Sequence, residues 1–262
     1  MEVVILGDAA EIARVGADVV SAVLRGRAAP VLGLATGSSP VPLYTELVRR
    51  HREAGLSFAH ARAFLLDDYV GLPPDHPQRY AAVIRRDFTG SIDLPAAALD
   101  WPHGDAADLP AECRRYEAAI AAAGGVDLQI LGIGADGHLA FNEPGSSLSS
   151  RTRVKTLTAR TREDNARFFA GVDEVPHHVV TQGLGTILEA RHLLMVATGD
   201  GKAGPVARAL EGPVSAACPA SILQLHERAT VLLDPAAATL LEHREHYEET
   251  WAARPAWQTW SA

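Results

Sequence analysis

A chain of 262 residues, 47% hydrophobic and 21% charged, has the make-up of a globular protein and room for one large α/β domain or two small ones. Its formal charge of −8, from 24 Lys plus Arg against 32 Asp plus Glu, argues against nonspecific binding to nucleic acid or to an anionic membrane, where a basic face is expected. A local basic pocket for a small anion remains compatible with that balance.

The N-terminal segment MEVVILGDAAEIARV lacks a basic lead, and Asp8 and Glu11 interrupt its apolar run, so it does not read as a signal peptide. VVILG (3–7) predicts a strand, and Ile12, Val15, Val19, Val20, Val23 and Leu24 recur at helical spacing after it. VLGLATG (31–37) predicts a strand entering a Gly/Ser turn. PVPLYTELVRR (40–50) predicts a helix with prolines in its first turn. ARAFLLDDY (61–69) reads as one strand ending in two acids, and AECRRYEAAIAAAG (111–124) as a helix stopped by glycine. VDLQILGIG (126–134), RHLLMVATG (191–199) and ATVLLD (229–234) are further strands. Helices are expected over KAGPVARALEG after the second of these and over PAAATLLEHREHYEE after the third.

Such alternation predicts a single domain over 1–262, Rossmann-like: an open, mostly parallel, twisted α/β sheet with helices on both faces. A polar stretch rich in Ser, Thr and Arg, about 143–178, reads as an insertion on that domain. The two cysteines, Cys113 and Cys218, spell neither a disulfide framework nor a zinc ribbon, and read as reduced packing thiols. No apolar run approaches the roughly 18 residues of a membrane span, so a cytoplasmic setting is expected. The tail ARPAWQTWSA reads as irregular, its tryptophans docked or frayed.

In an open parallel sheet, ligands bind beyond the carboxyl ends of the strands. Three such ends carry unusual residues: ATGSSP, LLDDYVG and GIGADGH. Thr36, Gly37, Ser38 and Ser39 form a small-residue turn before a helix. That is either an anion site built from free N–H groups and hydroxyls or an ordinary helix cap. Asp67 and Asp68 are adjacent on a strand, so only one can face a pocket while the other orients structure. Gly132, Gly134 and Gly137 spell G-x-G-x-x-G, but Pro144 and Gly145 follow too soon for the helix that a dinucleotide-binding turn must open. Asp136, His138 and Glu143 suggest proton chemistry instead: an imidazole that titrates near neutrality, oriented by carboxylates. His138 and Glu143 do not match the H-E-x-x-H zinc pattern, and His177 and His178 read as surface residues. Arg153, Lys155, Arg160, Arg162, Arg167 and Lys202 offer positive charge for an anion.

Taken together, LGLATGSSP, LLDDYVGLPPDHPQRY, LGIGADGHLAFNEPGSSLSSRTRVKTLT, TREDNARFF, TQGLGTIL and CPASILQLH resemble the glucosamine-6-phosphate deaminase (isomerase) family over nearly the whole chain. The resemblance implies a fold of the deaminase/phosphogluconolactonase type. It also implies conversion of glucosamine 6-phosphate and water to fructose 6-phosphate and ammonia in amino-sugar catabolism, with no organic cofactor and no metal. By position, Asp67 resembles the base that moves a proton between C2 and C1, and His138 the group that assists ring opening. Asp136 and Glu143 resemble the partners of His138. The Thr36–Ser39 turn, Arg167 and Lys202 resemble the phosphate site. Ser146, Ser147, Arg153, Lys155 and Thr156 resemble the allosteric site of some relatives, although the tail departs from the allosteric type. The partner implied is a small amino-sugar phosphate, with self-association anywhere from monomer to hexamer.

Three rivals stand beside this reading. A galactosamine-6-phosphate deaminase differs at one stereocentre. A 6-phosphogluconolactonase shares the Asp-Gly-His loop, but there it runs toward a Ser-Leu-Phe-Pro-like segment rather than AFNEPG. A sugar-phosphate sensor would need a DNA-binding module, and the first strand already begins at residue 3.

Overall fold

The computed structural model describes residues 1–255, 258 and 260. In chain order the elements are β1 (Glu2–Ile5), α1 (Ala9–Gly26), β2 (Val31–Leu34), α2 (Val41–Ala54), β3 (Arg62–Leu65), β4 (Asp67–Tyr69), α3 (Tyr80–Asp87), β5 (Leu99–Asp100) and α4 (Leu109–Ala122). There follow β6 (Leu128–Leu131), β7 (Arg153–Thr156), α5 (Ala159–Asn165), β8 (His178–Thr181), α6 (Leu184–Leu188), β9 (Leu193–Ala197), α7 (Ala203–Leu210), β10 (Ala229–Leu233) and α8 (Arg244–Ala252).

Local chemistry explains the boundaries. At the start of α1 the Asp8 carboxylate accepts from Glu11 N (2.7 Å) and Glu11 Oε2 accepts from Gly7 N (2.8 Å), a reciprocal cap that satisfies two otherwise orphaned donors. The same two acids that break the N-terminal apolar run therefore start the first helix. Asp108 caps α4 by accepting from Ala111 N, and Pro110 sits in its first turn, where no N–H is needed.

Seven strands form one parallel sheet in the order β1-β10-β9-β6-β2-β3-β5. Strands β2, β6, β9 and β10 are buried at every position, as strands covered by helices on both faces must be. From β2 the chain proceeds to β3 and β5 on one side, then returns to β6, β9 and β10 on the other. The direction of winding thus reverses between β2 and β6, and the loops leaving these two strands diverge to open a crevice at the carboxyl edge.

Two expectations change. LLDDY is not one strand: β3 stops at Leu65, and β4 belongs to a second, antiparallel sheet of order β4-β8-β7. The crossing at Leu65–Leu66 is pinned by hydrogen bonds to backbone carbonyls. Tyr116 Oη and Gln182 Nε2 (3.1 Å) donate to Leu65 O, and Gln182 N donates to Leu66 O (2.8 Å). The polar stretch 143–178 contains β7 and the first residue of β8, so it helps to build this small sheet. A separate apolar cluster of Tyr69, Leu72, Phe141, Leu157, Val175 and Val179 supports it. The segment PAAATLLEHREHYEE is helical only from Arg244; its first half is turns.

Both cysteines are buried and free. His177 and His178 are exposed. In the tail, Trp260 stacks on Trp251 with ring centroids 5.9 Å apart, while the reading of Trp257 lies outside the described residues. Among the described residues no helix is long and apolar enough to cross a membrane.

Candidate active site

The loops that leave β2 and β6 meet at the crevice. After β2, Gly37 adopts φ +100°, and Ser38 and Ser39 stand ahead of α2. Neither serine caps that helix: the capping position falls on Pro40, with no side-chain bond to the first turn. The first-turn N–H groups are left without a side-chain acceptor, as an anion-binding turn requires. A Cβ placed on Gly132 would lie 3.7 Å from Ser39 Cβ, so this turn is a direct neighbour of the loop after β6.

In that second loop no helix follows Gly137; Leu139 and Asn142 form an isolated bridge instead. The glycine triad therefore serves another purpose. A Cβ on Gly134 would sit 2.2–2.4 Å from the atoms of the His138 ring, so only glycine lets the imidazole fold back over the loop. There His138 Nδ1 lies 2.7 Å from Asp136 Oδ1, in a contact that is short but not linear, and His138 N donates to the same oxygen (3.1 Å). With Nδ1 against the carboxylate, Nε2 is the nitrogen left to exchange protons with a ligand. Burial works to raise the Asp136 carboxyl, but the contacts from His138 outweigh it and hold it below the ordinary aspartate value.

Glu143 makes its hydrogen bonds to the start of α5. Its buried Oε1 accepts from Thr161 Oγ1 and from Thr158 Oγ1 (3.0 Å), anchoring the start of α5, while Asp136 is the acid that contacts His138. Lys202 closes the crevice from the start of α7, its Nζ donating to Ile133 O (2.6 Å). Burial first and the nearby Arg167 cation second push the Lys202 ammonium below its ordinary value, with Asp136 and Asp164 acting the other way. Arg167 is exposed and rests over the Phe168 ring, 4.7 Å from its centroid. Among the described residues neither cation has a salt-bridge partner; two such charges held near one another are poised for a doubly charged anion.

Asp67 enters from the small sheet. It opens β4 paired with Thr181 of β8, which in turn pairs with Arg153 of β7. Thr181 Oγ1 accepts from Phe141 N (3.2 Å), and Asn142 Nδ2 donates to Gln182 O (2.8 Å). The strand beside the acid is thereby tied to the loop that carries His138. Asp67 is 5% exposed, and no donor among the described residues hydrogen-bonds its carboxylate. Burial, and then the charge of Asp68, push it well above the ordinary aspartate value. Asp68 points to the opposite face, where it is engaged by Arg79 and by backbone N–H groups, as the alternation of a strand demands.

Of the remaining positions, Ser146 Oγ is buried without a partner, Ser147 is exposed, and Thr156 Oγ1 lies 3.2 Å from His178 Nδ1. Arg153 and Lys155 sit two apart on β7, on one face of the small sheet. Burial pulls the Arg153 guanidinium down. The sequence reading passes over Arg79, Tyr80, Asp105 and Thr158. Arg79, Tyr80 and Thr158 have as their signal only a place inside motifs that look like ordinary loop, and Asp105 lies outside every motif.

The fold and the crevice place the chain among the α/β proteins whose site lies where a parallel sheet reverses its winding. The family described as glucosamine-6-phosphate isomerases/6-phosphogluconolactonase matches residues 8–232, and the chain belongs to that family. It is 57% identical over 98% of its length, and 99% of the relative's, to a glucosamine-6-phosphate deaminase of Arthrobacter sp. (strain FB24). It is 52% identical over the same shares to one of Streptomyces coelicolor. A solved monomeric glucosamine-6-phosphate deaminase superposes with a TM-score of 0.89 at 41% identity, covering 92% of this chain and 100% of that one. A 6-phosphogluconolactonase from Thermotoga maritima shares the fold, with a TM-score of 0.70 at 20% identity over 89% of this chain and 98% of that one.

Proposed function

We infer that the chain converts glucosamine 6-phosphate and water into fructose 6-phosphate and ammonia. The observation that carries the chemistry is the division of labour across one crevice: a buried carboxylate without hydrogen bonds, Asp67, on one side, and an imidazole backed by a carboxylate, His138 with Asp136, on the other.

The residues suit the steps. Opening the pyranose requires a proton to leave the C1 hydroxyl and another to reach the ring oxygen. His138 Nε2 performs that exchange, and Asp136 holds the ring in place and stabilises its charged form. In the open chain, Asp67 takes the proton from C2, leaving an enol at C1 with the amine on C2. Returning that proton to C1 gives a C2 iminium, which water hydrolyses to the ketose with release of ammonia. A base kept short of hydrogen bonds is a stronger base, which is what removal of a carbon-bound proton asks for. The Thr36–Ser39 turn, Arg167 and Lys202 hold the phosphate, and this remote binding energy orients the carbons. Glu143, held by Thr158 and Thr161, is the further acid of the proton relay that the family resemblance suggests.

The test of the activity is a coupled ammonia assay on glucosamine 6-phosphate and galactosamine 6-phosphate, with 6-phosphogluconolactone hydrolysis alongside. Stoichiometric fructose 6-phosphate and ammonia from the gluco sugar are expected. Lactone hydrolysis without ammonia from either amino sugar would overturn the reading.

The phosphate assignment has its own expected outcome. A charge-assisted contact is worth about 1.5–3 kcal/mol, so Lys202→Ala should lower kcat/KM by roughly tenfold to a hundredfold at about 1.4 kcal/mol per decade. Because part of that energy orients the sugar, kcat falls as well as KM rising. The defect shrinks with unphosphorylated glucosamine; equal damage on both sugars would mean that Lys202 acts on something they share.

A further inference from the structure

Behind Asp67 lies a second buried acid that the reaction as described does not use. Asp68 is 0% exposed, yet it is the most heavily hydrogen-bonded carboxylate of this corner. Its Oδ1 accepts from Tyr69 N (2.9 Å) and from Tyr80 N (3.0 Å), and its Oδ2 from Arg79 Nε (3.2 Å). Tyr80 is the first residue of α3, a helix whose own capping residue, Arg79, supplies no side-chain acceptor. Asp68 thus caps that helix from outside it. Arg79 is itself buried, and its Nη2 reaches on to Asp105 Oδ1 (2.7 Å). One guanidinium is shared between two carboxylates, and a third, Asp67, lies next door with no donor of its own.

We propose that Asp68, anchored by Arg79 and Asp105, is a positioning residue for the base: it fixes the corner between β4 and α3 and sets a hydrogen-bonded carboxylate beside Asp67. This rests on the reading of Asp67 as the base. A buried acid with three donors, one of them cationic, holds its charge better than a neighbour with none, which is the first of the two to take up a proton. Burial is the largest influence on Asp68 and leaves its carboxyl above the ordinary aspartate value, against the opposing N–H groups of Tyr80 and Tyr69 and the charge of Arg79, whereas Asp67, with no such donors, is pushed well above it. The arrangement divides two adjacent aspartates into a hydrogen-bonded neighbour and a working base.

Among the described residues, those packed around Asp67 offer no other group for this part. Tyr69, on the same strand, is pushed up to about 12 by burial. Tyr80 from α3 and Tyr116 from α4 are raised further for the same reason, so all three phenols are neutral wherever the enzyme works. From β8 the residue opposite is Thr181, which does not titrate, and Arg153 stands one strand beyond. The charges that bear on Asp67 at close range are therefore those of Asp68 and, through it, Arg79 and Asp105.

The experiment is the pH profile of kcat/KM for the parent and for Asp68→Asn, Asp105→Asn and Arg79→Lys, with melting curves to confirm folding. The acid limb reports ionisation of the base in the free enzyme. A like charge in contact raises a carboxyl by about one unit or more, so Asp68→Asn should carry the limb about one pH unit lower. Asp105→Asn removes a more distant, part-exposed charge and moves it lower by less. Arg79→Lys keeps the charge and leaves the limb in place. If Asp68→Asn does not fold, Asp105→Asn decides alone, because Asp105 lies in a surface loop. An acid limb at the parent's position in every folded charge-removing variant would overturn the proposal, even if turnover had dropped. Parent-level activity in Asp67→Asn would instead overturn the assignment of the base itself.

Discussion

Asp67→Asn is expected to remove nearly all isomerising deamination while leaving the fold intact. The amide cannot accept the C2 proton, and no other carboxylate faces that position from β4, since Asp68 is committed to Arg79 and α3. Deuterium incorporation at C1 of the product, followed by NMR in D₂O, should vanish together with ammonia release. Near-parental turnover would reject the assignment. The same variant carries an expectation for stability. In the folded chain the Asp67 carboxyl is raised by burial and by Asp68, so its contribution to stability is fully present below the unfolded value of about 3.9 and is lost as pH rises through the folded value. Asparagine is neutral throughout. The Tm of Asp67→Asn relative to the parent should therefore climb with pH, and a gap that is constant from acid to neutral pH would contradict the buried-charge account.

His138→Gln addresses the other side of the crevice. Loss of a positioned acid–base group costs about 10²–10⁴ in rate, and that range is expected for the cyclic substrate. An acyclic analogue bypasses ring opening, so the variant should handle it with a much smaller loss. Equal losses on both would mean that His138 acts in a step common to the two, and the division of labour between it and Asp67 would have to be redrawn. Glutamine preserves the contact with Gly134 better than alanine does, which keeps the loop from collapsing into the space under the ring.

Much of this architecture is legible in the sequence because the information is local. Asp136 and His138 are two residues apart, so their contact is within reach of a motif. The β-strands of the parallel sheet are continuous apolar runs such as VLGL and LLMVA, which announce burial on both faces. What could not be read is where the chain changes partners. Residues 61–69 form one unbroken apolar-to-acidic stretch, and nothing in its periodicity reveals that Leu66 is the step between two sheets, because the cause is the distant pair Tyr116 and Gln182. The strand RVKT of β7 is four residues long with alternate positions half-exposed, too short and too polar to stand out. The contacts of Glu143 with Thr158 and Thr161 could not be read for the same reason: those partners lie 15 and 18 residues on, across a turn that spacing does not encode.

The step at Leu66 has a consequence for how such a protein can change. Because Asp67 rides on a small sheet with an apolar cluster of its own, while His138, Lys202 and the Thr36–Ser39 turn hang from the large one, the proposed base and the proposed ring opener are carried by separate rafts of backbone. They are moored together by Thr181 to Phe141, Asn142 to Gln182, Gln182 to Leu65 and Leu66, and Thr152 to Glu117. Substitutions in one raft can retune the buried acid without disturbing the imidazole, and substitutions in the other can do the reverse.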